Sequence, residues 1–314
     1  MKYIKGYVPV FFLVIILVSV LPIQQLFDPD HLVKSENQIN NSSNQRIINQ
    51  SVINKSVHRS IYIVLIKGLG TECNGTRYGN IGFSSLRKKL TLYGFQYRDR
   101  RFLQYSYTGG EVKAGEWYPN KYSPEDTGQP IGISVKHLND LIEELSAADP
   151  KARFILVGHS LGGVIAFDFI SKYTENISRI KGVVTLNAPL MGAIYNIPNI
   201  VLEIFQNNGS VWGSIAVREL ILQNEFKVDL ENLRRQTALK LQKNGIHLAT
   251  FATQQDLIVH SSSAFLRDIN KKPITEGNII SVSRLEKLPY SLYGHRQILN
   301  EALIADYIIS ILET

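Results

Sequence analysis

The stretch Arg153-Phe154-Ile155-Leu156-Val157-Gly158-His159-Ser160-Leu161-Gly162-Gly163 constrains the fold more than any other part of the chain. Phe154 to Val157 is a short, continuous apolar run, the signal of a strand buried on both faces. It enters Gly-x-Ser-x-Gly at Gly158, Ser160 and Gly162, and an apolar run from Val164 to Ile170 follows with the period of a buried helix. Strand, sharp turn and helix lift a serine hydroxyl clear of the backbone as an exposed nucleophile. The flanking positions require glycine because a side chain at either would collide with the neighbouring strand or helix. The Leu161 amide, in the first turn of that helix, points where an oxyanion would form. Gly-x-Ser-x-Gly alone is a weak signal, and a glycine-rich turn with an idle serine is the competing reading. The strand before it and the helix after it favour the nucleophile.

The rest of the chain alternates strand and helix around this unit, as in an α/β protein with a mostly parallel central sheet flanked by helices. Ile61 to Ile66 reads as the first core strand and runs into Lys67-Gly68-Leu69-Gly70. A glycine-rich turn at that strand end brings backbone amides to the same sheet edge as Ser160, so Leu69 N–H is the second candidate oxyanion donor. The alternative is a turn that only ends the strand. A helix is expected over Phe83 to Tyr93 and a strand over Phe102 to Tyr107. Glu111 to Pro130, with Trp117 and several tyrosines, reads as a long surface loop. Ile131 to Leu145 has helical periodicity, and strands are expected at Ile180 to Leu186, His247 to Thr253 and Asn278 to Ser283. The final helix spans Gln297 to Leu312.

Residues 194–244 break this rhythm. Apolar runs at Ile197 to Phe205 and Val211 to Leu222 precede a charged helical stretch with Leu230, Leu233, Leu239 and Leu241. An insertion here would form a helical cap over the active edge, lining an acyl pocket or moving as a lid. Packing as an ordinary satellite core is the other reading.

A serine hydroxyl needs a base to take its proton and a group to orient that base. In chain order the sequence supplies Ser160, then Asp256 just beyond a strand, then His295 in a loop before the last helix. Asp168 lies within the helix after the nucleophile, and Asp268 lies well past the strand end. His159 adjoins Ser160 and is expected to point away. His247 stands at a strand start, and His260 follows Val259 too closely to fold back easily.

From about Arg59 to Thr314 the chain resembles the α/β-hydrolases of the lipase/esterase type. The resemblance rests on Gly158-His159-Ser160-Leu161-Gly162-Gly163, on Asp256-Leu257-Ile258-Val259, and on Gly294-His295 before the closing helix. Asn187-Ala188-Pro189-Leu190 is similar to the loop these enzymes carry after the next strand. It departs at Lys67-Gly68, where the family often has His-Gly, and in lacking the leading antiparallel strands. The resemblance implies the α/β-hydrolase fold and a catalytic triad of Ser160, Asp256 and His295. It implies an ester or lipid substrate and no metal or organic cofactor. An acyltransferase using the same triad, or a catalytically silent binding protein on the same fold, are the alternatives.

The amino terminus carries a separate signal. Lys2 and Lys5 precede an uncharged run from Tyr7 to Ile23, about 20 residues with Ile4 included, which is enough to cross a bilayer. A cleaved signal needs small residues at its end, and the chain has no alanine before Ala114. Residues 1–27 therefore read as an uncleaved membrane anchor, with secretion as the outcome if cleavage occurs. Asp28 and Asp30 after the span place the catalytic domain outside the cytoplasm. Residues 28–59, rich in Asn, Gln and Ser, read as a flexible tether to a catalytic domain at 60–314. The formal net charge of +7 is compatible with anionic lipid, and no motif supports nucleic-acid binding. The single cysteine, Cys73, can form no internal disulfide, and no Cys/His spacing suggests a metal site.

Overall fold

A computed structural model describes residues 60–192, 211–223, 227–256, 258–268, 270–281 and 292–314. The anchor and tether assigned to residues 1–59 lie outside these residues. So does the apolar run from Ile197 to Phe205. No helix among the described residues is long and apolar enough to cross a membrane.

The central sheet is built on β1 (Ile61–Ile66), whose six residues are all buried. Burying each Ile, Val or Leu contributes about 1.5–3 kcal/mol, enough to offset roughly 1–2 kcal/mol of backbone ordering per residue. The strand alternates between two layers. Ile61, Ile63 and Leu65 pack with Leu86, Leu90, Ile304 and Ile308 on one face. Tyr62, Val64 and Ile66 face Leu138, Ile142, Val164 and Phe167 on the other. A strand covered by helices on both sides has no polar face, and this accounts for its unbroken apolar sequence.

The other sheet strands are β2 (Phe102–Gln104), β5 (Arg153–His159), β6 (Ile180–Leu186), β7 (His247–Thr253) and β8 (Ile279–Ile280), in spatial order β2-β1-β5-β6-β7-β8. All five pairings are parallel. From β1 the chain moves to one edge for β2, then returns to the far side of β1 for β5. The loops after β1 and β5 therefore part at a topological switch point, where open α/β sheets place their ligands. Register brings these strand ends level, with Ile66 opposite Gly158, Gly158 opposite Thr185, and Leu186 opposite Phe251. This is the α/β-hydrolase fold, without antiparallel leading strands among the described residues.

Helices α1 (Ser84–Leu90), α2 (Ile131–Ala148) and α3 (Leu161–Lys172) fall where periodicity places them. Three segments differ from expectation. The supposed surface loop contains an antiparallel hairpin, β3 (Gly110–Lys113) with β4 (Glu116–Pro119). Ala114 and Gly115 close it with φ of 52° and 76°, the positive pair that a two-residue hairpin turn needs. Ala-Gly is an uncommon way to write that turn, so the sequence conceals it. Trp117 on β4 is buried and its Nε1–H donates to the Gln104 carbonyl at 2.9 Å.

The second difference lies in residues 194–244. Helix α4 (Ile215–Leu222) buries Ala216, Val217 and Leu220 while leaving Ile215 and Leu222 half exposed. It rests on the turn before α2, where the Glu219 carboxylate accepts the Ile131 amide at 2.8 Å. Helix α5 (Lys227–Lys243), by contrast, is the β6-to-β7 crossover, with Ala238 and Leu241 in the main core. Arg234, fully buried, donates to the Leu190 carbonyl and pairs with Asp168 on α3. The Leu-rich half of the expected cap thus packs into the main core.

Third, the final helix is broken. A short α7 (Leu292–Gln297) and a 3-10 turn at 298–300 precede α8 (Ala302–Glu313). His295 accordingly sits on a short helix and not in a loop. After α5, the four-residue α6 (Ser261–Ala264) follows β7.

Candidate active site

Ser160 sits at the tip between β5 and α3 with φ 56° and ψ −128°. A non-glycine residue there costs about 1–3 kcal/mol and persists only when its surroundings over-determine it. Two backbone bonds do so, Ser160 N–H to the Leu186 carbonyl and Gly163 N–H to the Ser160 carbonyl, both at 2.9 Å. The glycines permit the crossing. A Cβ on Gly158 would lie 2.4 Å from the Gly162 carbonyl oxygen, and one on Gly162 would lie 2.2 Å from that of Ile66.

The turn after β1 comes up against this elbow. A Cβ on Gly68 would lie 2.7 Å from Ser160 Cβ and 3.2 Å from its Oγ. The neighbouring polar groups are already engaged: Tyr107 Oη donates to the Lys67 carbonyl at 2.8 Å, Thr71 Oγ1 to that of Gly68 at 2.7 Å, and Gly70 N–H to Thr127 Oγ1 at 2.8 Å. Among the described residues, the Leu69 and Leu161 amides donate to no protein acceptor. For Leu161 this follows from its place in the first helical turn.

Asp256 and His295 meet on the same edge. His295 Nδ1 donates to Asp256 Oδ2 at 2.6 Å, and both side chains are buried. The second carboxylate oxygen accepts the Ile258 and Val259 amides at 2.8 and 3.0 Å. Holding the proton on Nδ1 leaves Nε2 as the lone-pair nitrogen. Gly294 allows the approach, since a Cβ there would lie 2.5 Å from the Gln255 carbonyl oxygen. Ser160 Oγ makes no hydrogen bond to His295 among the described residues; such contacts often tighten only once substrate is bound.

Two residues to which the sequence assigned no role in the site tie His295 to the elbow, and His159, expected to point away, instead lies against His295. His159 Nε2–H donates to the His295 carbonyl at 2.7 Å, and the two rings lie 4.8 Å apart. Burial first, then the neighbouring His295, push the His159 pKa down to about 3, so it remains a neutral donor. Asn187 Nδ2 donates to the His295 and Gly294 carbonyls at 3.2 Å, while its Oδ1 accepts the Thr253 amide at 2.7 Å. One asparagine thereby bridges β7, β6 and the histidine helix. Its φ of 45° is a conformation that Asn tolerates better than most residues. The only signal for it was its place in the Asn187-Ala188-Pro189-Leu190 motif.

The rival residues are accounted for elsewhere. Asp168 pairs with Arg234, and Asp268 accepts the Lys272 amide at 2.7 Å. His247 Nε2 contacts Thr314 Oγ1 at 3.2 Å, at the start of β7. His260 caps α6, its Nδ1 accepting the Ser262 amide at 3.2 Å. Among the described residues, no three His, Cys, Asp or Glu side chains converge as metal ligands.

Residues 128–281 match the family described as the PGAP1-like alpha/beta domain, a span that includes Ser160 and Asp256. No curated protein matches the chain. Among solved structures, it is similar to a lipase-esterase related protein of Clostridium acetobutylicum at 13% identity and a TM-score of 0.46, covering 80% of this chain and 94% of that one. The naproxen esterase of Bacillus subtilis aligns at 13% identity and a TM-score of 0.42, over 81% of this chain and 84% of that one. Phospholipase PlaB from Legionella pneumophila aligns at 10% identity and a TM-score of 0.46, over 81% and 63%.

Proposed function

We propose that this α/β-hydrolase-fold chain is a membrane-anchored serine hydrolase that cleaves carboxylic esters with an apolar acyl group outside the cytoplasm. The observation that carries the reading is the buried Asp256–His295 pair, whose backbone is bonded to the residue beside the elbow serine. Ser160 Oγ attacks the acyl carbon while His295 Nε2 takes its proton, and Asp256 stabilises the imidazolium so formed. The Leu69 and Leu161 amides receive the negative oxygen. Collapse of the tetrahedral adduct breaks the ester C–O bond, and His295 returns the proton to the departing alcohol. Water then repeats the sequence on the acyl-enzyme, freeing the acid and Ser160.

The apolar acyl group is supported by α4. It bears on the turn at 125–128, whose Thr127 accepts the Gly70 amide beside the elbow, and it presents Ile215 and Leu222 half exposed. A panel of p-nitrophenyl esters from acetyl to palmitoyl, with and without lipid vesicles and an added alcohol, tests this. Medium or long chains are expected to be favoured. Ile215→Ser with Leu222→Ser is expected to lower kcat/KM for long esters by roughly tenfold and to spare the acetyl ester. A best rate on acetyl ester with an unchanged profile in the variant would defeat the acyl reading. Ester product forming ahead of free acid would favour an acyltransferase.

Anchoring rests on the uncharged run from Tyr7 to Ile23 behind Lys2 and Lys5. Full-length protein is expected in the membrane fraction, with its catalytic domain cut by protease added outside. A shortened soluble form in the medium would identify a cleaved signal instead.

A further inference from the structure

Lys67 stands where the chain leaves β1 to pass Ser160, and its side chain turns toward the outer part of the loop. Nζ donates to the carbonyls of Glu72 and Asn80. It lies 5.7 Å from the centre of the Tyr122 ring. Tyr122 in turn exchanges two backbone hydrogen bonds with Cys73, both at 3.0 Å. A single ammonium thus gathers both ends of the 72–80 segment onto the end of β1.

No carboxylate forms an ion pair with Lys67 among the described residues, and the Glu72 carboxylate accepts Asn80 Nδ2 at 3.0 Å. The charge is held by carbonyl dipoles and an aromatic face, and those bonds are charge-assisted. Without them, the loop between Gly68 and Asn80 would keep the Thr71, Thr127 and Tyr107 contacts but lose its outer support.

We propose that Lys67 is the positioning residue of the oxyanion loop, its ammonium drawing in the Glu72 and Asn80 carbonyls so that the Leu69 amide is set against Ser160. This rests on the serine-hydrolase reading above. Burial holds the Lys67 pKa down to about 8, with Cys73 and Glu72 opposing the shift. The titratable groups facing it are Glu72 and Cys73 on the same loop and Tyr122 behind it. Burial raises both the Cys73 thiol and the Tyr122 phenol, so Lys67 gives up its proton before either.

Activity and stability should then respond oppositely to alkali. Below about pH 8 the clamp is charged; above it, a neutral amine holds the carbonyls less firmly. An unfolded lysine titrates near 10.4, so from about pH 8 to about pH 10 the unfolded chain binds more protons and this group's contribution to stability rises with pH.

The test follows p-nitrophenyl ester hydrolysis and thermal melting from about pH 6 to about pH 10 in wild type, Lys67→Met, Lys67→Arg and Ser160→Ala. Lys67→Met is expected to lower kcat roughly 10- to 100-fold while moving KM less than about threefold. The wild-type rate should fall above about pH 8, and Lys67→Met should lack that limb. Lys67→Arg should restore much of the rate at neutral pH and shift the limb out of range, because guanidinium stays charged. The wild-type Tm should gain on that of Lys67→Met as pH rises. Unchanged kcat in Lys67→Met, or the same alkaline limb in both proteins, overturns the proposal. Should Lys67→Met fail to fold, an identical limb in wild type and Lys67→Arg overturns it equally. Full activity in Ser160→Ala would instead sink the serine reading, and this inference with it.

Discussion

Ser160→Ala is expected to lower kcat on a p-nitrophenyl ester by roughly four to six orders of magnitude and to abolish labelling by a fluorophosphonate probe. The loss should be large because, in the proposed mechanism, the Ser160 oxygen forms the bond to the acyl carbon, and nothing else on the elbow can replace it. The fold is expected to survive. Ser160 Oγ makes no hydrogen bond to His295 among the described residues, and alanine meets the backbone strain at φ 56° much as serine does. Stability should therefore move by less than about 0.5 kcal/mol. Undiminished labelling of the variant would place the nucleophile elsewhere.

His295→Ala should cost about as much, since the serine would lose its proton acceptor. Asp256→Asn separates charge from architecture. An amide oxygen can still accept the Ile258 and Val259 amides, so the acid loop keeps its turn. It can no longer stabilise an imidazolium, and its NH2 group disfavours the tautomer that carries the proton on Nδ1. A fall of about 10⁴-fold in kcat is expected, with KM little changed. His260→Ala supplies the contrast. It removes the cap of α6 and costs about 1 kcal/mol of stability while leaving kcat intact. Silencing by His260→Ala but not by His295→Ala would reverse the assignment of the base.

The elbow was legible because its constraints are local. Gly158, Ser160 and Gly162 fall within five residues, and the crowding that demands glycine arises from the strand and helix that flank them. Buried strands announce themselves for a related reason. A segment covered on both faces, like Ile61–Ile66, has no polar position to interrupt it. The candidate acid and base were legible only through order and resemblance, because Asp256 and His295 are far apart in the chain.

The sequence by itself determined the alternation of strand and helix, the strained turn that carries Ser160, and the chemical types available at the ends of β7 and α7. Only the tertiary structure decided how they are held together. His159 and Asn187 act through the backbone carbonyl of His295, and a hydrogen bond to a carbonyl leaves no mark on the identity of the residue that accepts it. Lys67 likewise donates to backbone carbonyls, those of Glu72 and Asn80. The crossover role of α5, though not its helicity, was hidden for the converse reason. Its mean hydropathy is low and much of its surface is charged, so only packing against β7, and the burial of Arg234 against Asp168, distinguishes scaffold from cap. Apolar periodicity reports which side of a helix is dry. The layer that dries it is chosen by the assembled sheet.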